Sequence, residues 1–363
     1  MFPANEKGYP GIWRYHEALP TPPSNNFVSL DEGCTPLVRI ESSNAWIKFE
    51  GANPTGSFKD RGMTVAISIA RWKKARIAVA ASTGNTAASL AAYSARAGLK
   101  SIIVIPHKGV AMGKLLQCIL HGSYIVEIEG VFDKALETVL NTVSKWKDNV
   151  YLVNSINPVR LEGQKTVAYE IIERLGESPD YVIVPVGNAG NISAIWKGFK
   201  ELKEWGYVNN LPRMIGVQSA GSAPLYLTWI TGRRDLIQVP NPRTLASAIR
   251  IGKPVNWVKA LKALEESNGF MLTVTDAEII EAIKEIARKV GLGVEPSSAA
   301  PYAAWNRLLK SGELSSKDNV VMIATGHALK DPGVINHINT TRIKILSPDD
   351  LDKVIKSITN GVE

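Results

Sequence analysis

Residues 180–199 read DYVIVPVGNAGNISAIWKGF. A short β-branched apolar run enters a turn built of glycine and asparagine, and a segment with helical apolar spacing leaves it. That order predicts a strand, a tight turn and a helix, which is half of a βαβ unit. The pattern recurs along most of the chain, in AWIKFE, ARIAVAAS, SIIVIP, SYIVEI, VYLVN, RMIGVQ and NVVMIAT, each followed or preceded by helix-period sequence. An α/β fold with parallel sheets follows, and the number of strands is enough for two layers.

Helix signals are equally local. Phe132, Ala135, Leu136, Val139, Leu140 and Val143 repeat at the spacing of one buried helical face. Thr275 with Glu278 three residues later predicts a capping box, opening a helix that buries Ile279, Ile280, Ile283, Ile286 and Ala287. Ser347, Pro348 and Asp350 predict a short helix near the C-terminus.

Composition bounds the function. The chain has 363 residues and a net charge of +8, but its basic residues are dispersed. The densest cluster, RWKKAR at 71–76, ends a helical pattern where cations suit the helix dipole, so no nucleic-acid partner is expected. Two cysteines, Cys34 and Cys118, and five histidines show no metal-ligand spacing. No apolar run approaches the ~18 residues that span a bilayer, and MFPANEKGYPGIWRYHEALP lacks a signal-peptide core. The expectation is a cytoplasmic enzyme with reduced thiols, no metal and no membrane partner.

Four loops carry chemistry. In NPTGSFKDRG, residues 53–62, turn formers lead into Ser57 as the expected N-cap, and Lys59 falls in the first helical turn. The helix dipole disfavours a cation there, so the amine is either an ordinary surface lysine or one kept neutral for imine formation. STGNT, residues 82–86, begins an Ala-rich helix that Gly98 should end; it is an anion site or a plain N-cap loop. GNAGN, residues 187–191, lets successive amides curl around a phosphate. It lacks the G-x-G-x-x-G spacing and the ribose acid of a dinucleotide site. In MIATGHALKDP, Thr325 should stand at a strand C-terminus facing the cleft, while His327 alone reads as structural. A lysine, a phosphate nest and a strand-end hydroxyl together suit a cofactor with an aldehyde and a phosphate, and pyridoxal 5′-phosphate has both.

NPTGSFKDRG, STGNT, GNAGN, LASAIRIGKP and ATGHALKDP, with GIWRYHEALP and NSINPVRLEGQKT, resemble in order and spacing the threonine synthase family of fold type II pyridoxal-phosphate enzymes. The resemblance runs through almost the whole chain. It implies two open twisted sheets flanked by helices, with the active site in the cleft between a large domain (1–58 and 157–363) and a small mobile one (59–156).

By the same resemblance, Lys59 holds the cofactor as its imine and is the catalytic base and acid. Phe58, Asn85, Gly187, Asn188, Ala189, Gly190, Asn191 and Thr325 complete the cofactor site, with Asn85 on the pyridine 3′-oxygen and Thr325 on the ring nitrogen. Ser82, Thr83, Thr86, Asn154, Ser155, Arg160 and Asn188 would hold the phosphate and carboxylate of O-phospho-L-homoserine. The implied reaction gives L-threonine and phosphate, in a homodimer. Three places depart from the family pattern: HKGVAMGK at 107–114, which leaves Lys108 and Lys114 open as contacts, Ala328 and Lys253. A sibling β-replacement enzyme or dehydratase on the same scaffold is the alternative, and Arg160 speaks against a dehydratase.

Overall fold

The structure, a computed structural model, describes residues 8–107, 112–129, 132–146 and 149–338, with residues 351, 354–356 and 358. Lys108, the side chain of Lys114 and residues 347–350, where a helix is expected to open, lie outside the described residues, while residues 351, 354–356 and 358 are helical. The strands are β1 (Leu37–Arg39), β2 (Ala45–Phe49), β3 (Ile77–Ala81), β4 (Lys100–Pro106), β5 (Tyr124–Ile128), β6 (Val150–Leu152), β7 (Tyr181–Pro185), β8 (Arg213–Ser219), β9 (Phe270–Val274) and β10 (Val320–Ala324). The helices are α1 (Lys59–Trp72), α2 (Asn85–Ala97), α3 (Met112–Leu120), α4 (Phe132–Lys145), α5 (Val159–Gln164), α6 (Thr166–Leu175), α7 (Gly190–Glu204), α8 (Pro224–Ile230), α9 (Trp257–Glu266), α10 (Asp276–Glu285) and α11 (Pro296–Ser311).

Two sheets form. One has the order β1-β2-β10-β7-β8-β9, parallel throughout except for the antiparallel β1. The other, β5-β4-β3-β6, is wholly parallel. The central strands β7 and β10 are buried on both faces, as their unbroken apolar sequences require. All eight expected strands are present. β1 and β9 were not anticipated, because LVR is too short to carry a period and FMLTV sits directly against the Thr275 cap.

Several local expectations hold for clear reasons. Ala135 and Val139 are buried against β3 and β4, and Thr275 and Glu278 close their capping box. Gly98 ends α2 at φ +72°, while Arg71 to Lys74 are solvated at the end of α1. The inner face of α10 is corrected: Ala282 is buried, Ile280 is half-buried and Ala287 is exposed. The buried face runs through Ile279, Ala282, Ile283 and Ile286 at i, i+3, i+4 and i+7, which leaves Ile280 at its edge, and Ala287 lies on the outside of a π-type turn over Ile286–Val290. Ser57 does not cap α1: Phe58 occupies that position, and the Ser57 hydroxyl is buried without a partner among the described residues.

Helix α1 is fixed at its start by charge rather than by a cap. Arg61, fully buried, donates from Nε and Nη2 to Glu50 at 2.6 and 2.8 Å and from Nη1 and Nη2 to Glu170 at 2.8 and 2.7 Å. Lys48 donates to Glu170 at 2.7 Å. Burial alone would raise the Glu170 carboxyl, but Arg61 and Lys48 overcome it and hold it well below the usual range. Asp60 faces the other way and accepts from Thr55 N–H at 2.7 Å, the Thr55 hydroxyl at 2.6 Å and the Ser89 hydroxyl at 2.6 Å, which folds the preceding turn onto the helix.

Helices α1 and α5 meet backbone to backbone. A Cβ on Gly163 would lie 1.8 Å from the Arg61 carbonyl oxygen, and one on Gly62 would lie 2.6 Å from that of Arg160. Only glycine permits this approach, and it brings Arg160 beside the first turn of α1. Among the described residues no helix is long and apolar enough to cross a membrane.

Removing one partner of the buried quartet leaves uncompensated charge, so Glu170→Ala should cost ~3–5 kcal/mol at neutral pH. Because the native carboxyl titrates below its unfolded value, Glu170 stabilises the fold above the ordinary carboxylate range, and the contribution is lost as pH falls. Urea unfolding at pH 7 and pH 4 measures both: the gap between wild type and Glu170→Ala should narrow at the lower pH.

Candidate active site

The loop before Lys59 is tied to the tip of β10. Phe58 N–H donates to the Thr325 carbonyl at 3.0 Å, and His327 N–H donates to the Gly56 carbonyl at 2.9 Å. Lys59 is therefore the first residue of α1 and stands beside the strand end that carries Thr325. Its amine lies 4.2 Å from the centroid of the Phe58 ring and makes no hydrogen bond or ion pair among the described residues. Burial, reinforced by the positive charge of Arg160, brings its pKa down to about 7, with Glu295 acting in the opposite sense. An amine poised there changes protonation readily at physiological pH.

The turn after β7 makes the second feature. Ala189 adopts φ +63° at the start of α7, with no side-chain cap. The amides of Asn188, Ala189 and Gly190 donate to no group among the described residues, and both polar atoms of the Asn191 side chain are buried without partners. Gly187 is required because a Cβ would lie 2.9 Å from the Ala248 carbonyl, so the LASAIR segment walls the turn. Free amides converging at a helix N-terminus, with an orphaned carboxamide beside them, form a cradle for a phosphate.

Thr325 and Asn85 lie deeper. The Thr325 hydroxyl is 3.0 Å from that of Ser298, which accepts from Gly326 N–H at 2.7 Å. Asn85, the first residue of α2, donates from Nδ2 to the Glu295 carboxylate at 3.0 and 3.1 Å. Glu295, Ser297 and Ser298 were missed in the sequence. Their signal was the run VEPSSAA, an acid, a proline and two hydroxyls opening a helix, which by itself reads as an ordinary helix start.

Arg160 is the fifth element. Its side chain is buried, Nη1 donates to the Val153 carbonyl at 2.9 Å, and Nε has no partner. No carboxylate pairs with it among the described residues, and burial lowers its pKa to about 10. Ser82 and Thr83 are half-buried and Thr86 is buried, at the start of α2. The Ser82 hydroxyl accepts from Gly84 N–H at 3.3 Å.

The Asn154 carboxamide is paired with both backbone groups of Ala81, at 3.0 and 2.9 Å, and so holds the loop that leads into STGNT. Asn256 joins two other expected sites, donating from Nδ2 to the Ser155 carbonyl at 3.2 Å and from its own N–H to the Asn188 carbonyl at 3.1 Å. His327 accepts from Leu329 N–H through Nδ1 at 3.1 Å, which is a structural role. A cavity of about 360 Å³ opens beside Asn85 and His327, bordered also by Thr55, Gly84, Gln117 and Lys330.

A near-neutral amine, a phosphate cradle and buried hydroxyl and carboxamide groups fit pyridoxal 5′-phosphate. The family pattern described as pyridoxal-phosphate dependent enzyme matches residues 28–326, and the chain belongs to that family. Within it, the threonine synthase of Methanocaldococcus jannaschii is 49% identical over 343 residues, covering 92% of this chain and 84% of its own. The threonine synthase of Halalkalibacterium halodurans is 44% identical over 357 residues, with 97% and 98% covered. Among solved structures, an L-serine ammonia-lyase from the fungus Rhizomucor miehei has a TM-score of 0.72 at 23% identity, over 84% of this chain and 96% of that one, a likeness of fold.

In the cofactor-free protein, Lys59 should be acylated with a pH midpoint near 7, because the amine reacts only when deprotonated. Surface lysines titrate near 10.4. Peptide mass spectrometry across a pH series separates the two, and a Lys59 midpoint close to the surface value would contradict the electrostatics of the site.

Proposed function

We propose that the protein is a threonine synthase, a lyase that converts O-phospho-L-homoserine and water to L-threonine and phosphate. The observation that carries the reading from cofactor to substrate is Arg160, a buried guanidinium whose Nε has no partner and which pairs with no carboxylate among the described residues, beside the poised amine of Lys59. A cation so placed calls for an anion brought by the ligand. The identity of 44–49% to curated threonine synthases supports the same substrate.

Pyridoxal phosphate, when bound, supplies an aldehyde for the substrate amine and a sink for electrons withdrawn from Cα and Cβ. In this reading the amides of Gly187 to Asn191 hold its phosphate, Asn85 and Thr325 hold the edges of its ring, and Phe58 packs beside it. Lys59 holds the aldehyde at rest and, once displaced by the substrate amine, takes and returns protons at Cα and Cβ. Arg160, with Ser155, Asn188 and the loop held by Asn154, binds the departing phosphate as its C–O bond at Cγ breaks. Ser82, Thr83 and Thr86, at the N-terminus of α2, bind the carboxylate. Water then adds its hydroxyl at Cβ, and Cγ gains the proton that makes it a methyl group.

The same reading assigns residues 59–156 to a small domain that closes on residues 1–58 and 157–363, in a cytoplasmic homodimer. Closure would exclude water until phosphate has left its carbon.

Incubation of the holoenzyme with O-phospho-L-homoserine should release phosphate and threonine in equal amounts; phosphate accompanied by a ketoacid instead would identify a dehydratase. The holoenzyme should be yellow, and Lys59→Ala should lose both the borohydride-sensitive band and activity. A lysine in place of Arg160 keeps the charge but not the two-oxygen fork, so Arg160→Lys should raise KM for the phosphorylated substrate ~10-fold or more. An unchanged KM would remove Arg160 from the phosphate site.

A further inference from the structure

Glu295 occupies the last extended position before α11, at φ −69° and ψ 159°, and Pro296 starts the helix behind it. Its residue is 3% exposed. The carboxylate accepts from the Ser297 hydroxyl at 2.9 Å and, on both oxygens, from Asn85 Nδ2. It lies against Gly326, where a Cβ would sit 2.6 Å from Oε1. Gly326 in turn bridges to Ser57, two residues before Lys59. No arginine or lysine forms a salt bridge with it among the described residues, although such burial penalises the charged form.

Two consequences follow from this placement. A carboxylate can only accept hydrogen bonds, so the Asn85 amide must turn its NH2 group toward Glu295; a flip would oppose the carbonyl oxygen to a negative charge. Because α2 packs on the four-stranded sheet and α11 on the six-stranded one, the bond spans the cleft between them. Glu295 is also the acid that opposes Arg160 at Lys59. The charged groups around Glu295 are Lys59, Lys330 and Asp331; Lys330 is held by the Thr55 carbonyl at 3.0 Å and by Gln117, so it acts only from a distance.

We propose that Glu295 is a positioning residue for the reaction, locking the Asn85 carboxamide across the cleft and setting a negative charge beside the strand end that holds the loop of Lys59. The inference rests on the assignment of Lys59 and Asn85 to the cofactor site. Without the charge, burial and Arg160 would lower the proton affinity of Lys59 further. Without the hydrogen bond, the carboxamide would be free to rotate.

The full-length chain with Glu295→Gln and Glu295→Ala tests both halves. The glutamine keeps an oxygen for Asn85 but removes the charge. In the cofactor-free Glu295→Gln protein the pH midpoint of Lys59 acylation should fall by about one pH unit relative to wild type; superposable profiles overturn the counter-charge. Glu295→Ala should weaken pyridoxal-phosphate binding about tenfold, while Glu295→Gln stays within about twofold of wild type. Equal affinity in all three proteins overturns the lock. If the alanine protein does not fold, the acylation profile of the glutamine protein decides the proposal. Failure of the wild type to take up the cofactor would instead overturn the proposed function, and the Lys59 profiles of the cofactor-free proteins would still report on Glu295.

Discussion

The buried contact between Arg61 and the carboxylates of Glu50 and Glu170 fixes where the chemistry can occur. Glu50 follows β2, Glu170 lies in α6 and Arg61 lies in the first turn of α1, so three separate parts of the chain converge on one guanidinium. Lys48 brings the group to charge balance, and Thr35 and Thr166 take up remaining donors and acceptors. A fully paired cluster of this kind tolerates one geometry. That geometry sets the axial position of α1, and with it the position of Lys59 two residues earlier.

The turn before Lys59 completes the constraint from the other side. Asp60 draws Thr55 back toward the helix, and the backbone bonds from Phe58 to Thr325 and from His327 to Gly56 join the turn to the end of β10. Gly62 and Gly163 then let α5 approach until backbones touch, which delivers Arg160. The lysine is held between a strand tip, a glycine contact and a buried ion cluster, with no cap of its own.

Electrostatically the site has two unfilled demands for negative charge. Around Gly187 to Asn191 the demand comes from peptide dipoles and an orphaned carboxamide, and at Arg160 from a buried guanidinium. Each is costly while unmet and favourable once an anion arrives. Lys59 stands between opposing influences, with burial and Arg160 lowering its proton affinity and Glu295 raising it. An amine balanced in this way changes protonation near neutral pH.

Much of this was legible in the chain because it is local. Apolar runs with the right period gave eight strands, Gly98 and the Thr275–Glu278 pair marked helix ends, and the turn chemistry around Lys59 and GNAGN indicated a lysine and a phosphate cradle. What stayed hidden depends on partners distant in sequence. Nothing local shows that Asp60 and Arg61 are buried rather than solvated, that Asn154 is spent on Ala81, or that Glu295 reaches Asn85 across 210 positions. On α10 the apolar residues fit two neighbouring stripes, and packing selects the one through Ile279, Ala282, Ile283 and Ile286, leaving Ile280 at the edge. The sequence alone determined which segments form strands and helices and which loops carry reactive groups, because hydrogen bonding and turn preference act over a few residues. Tertiary packing decided which charges are paired, which are left open to a ligand and how Lys59 titrates, because desolvation and Coulomb energy depend on neighbours that only the folded chain brings together.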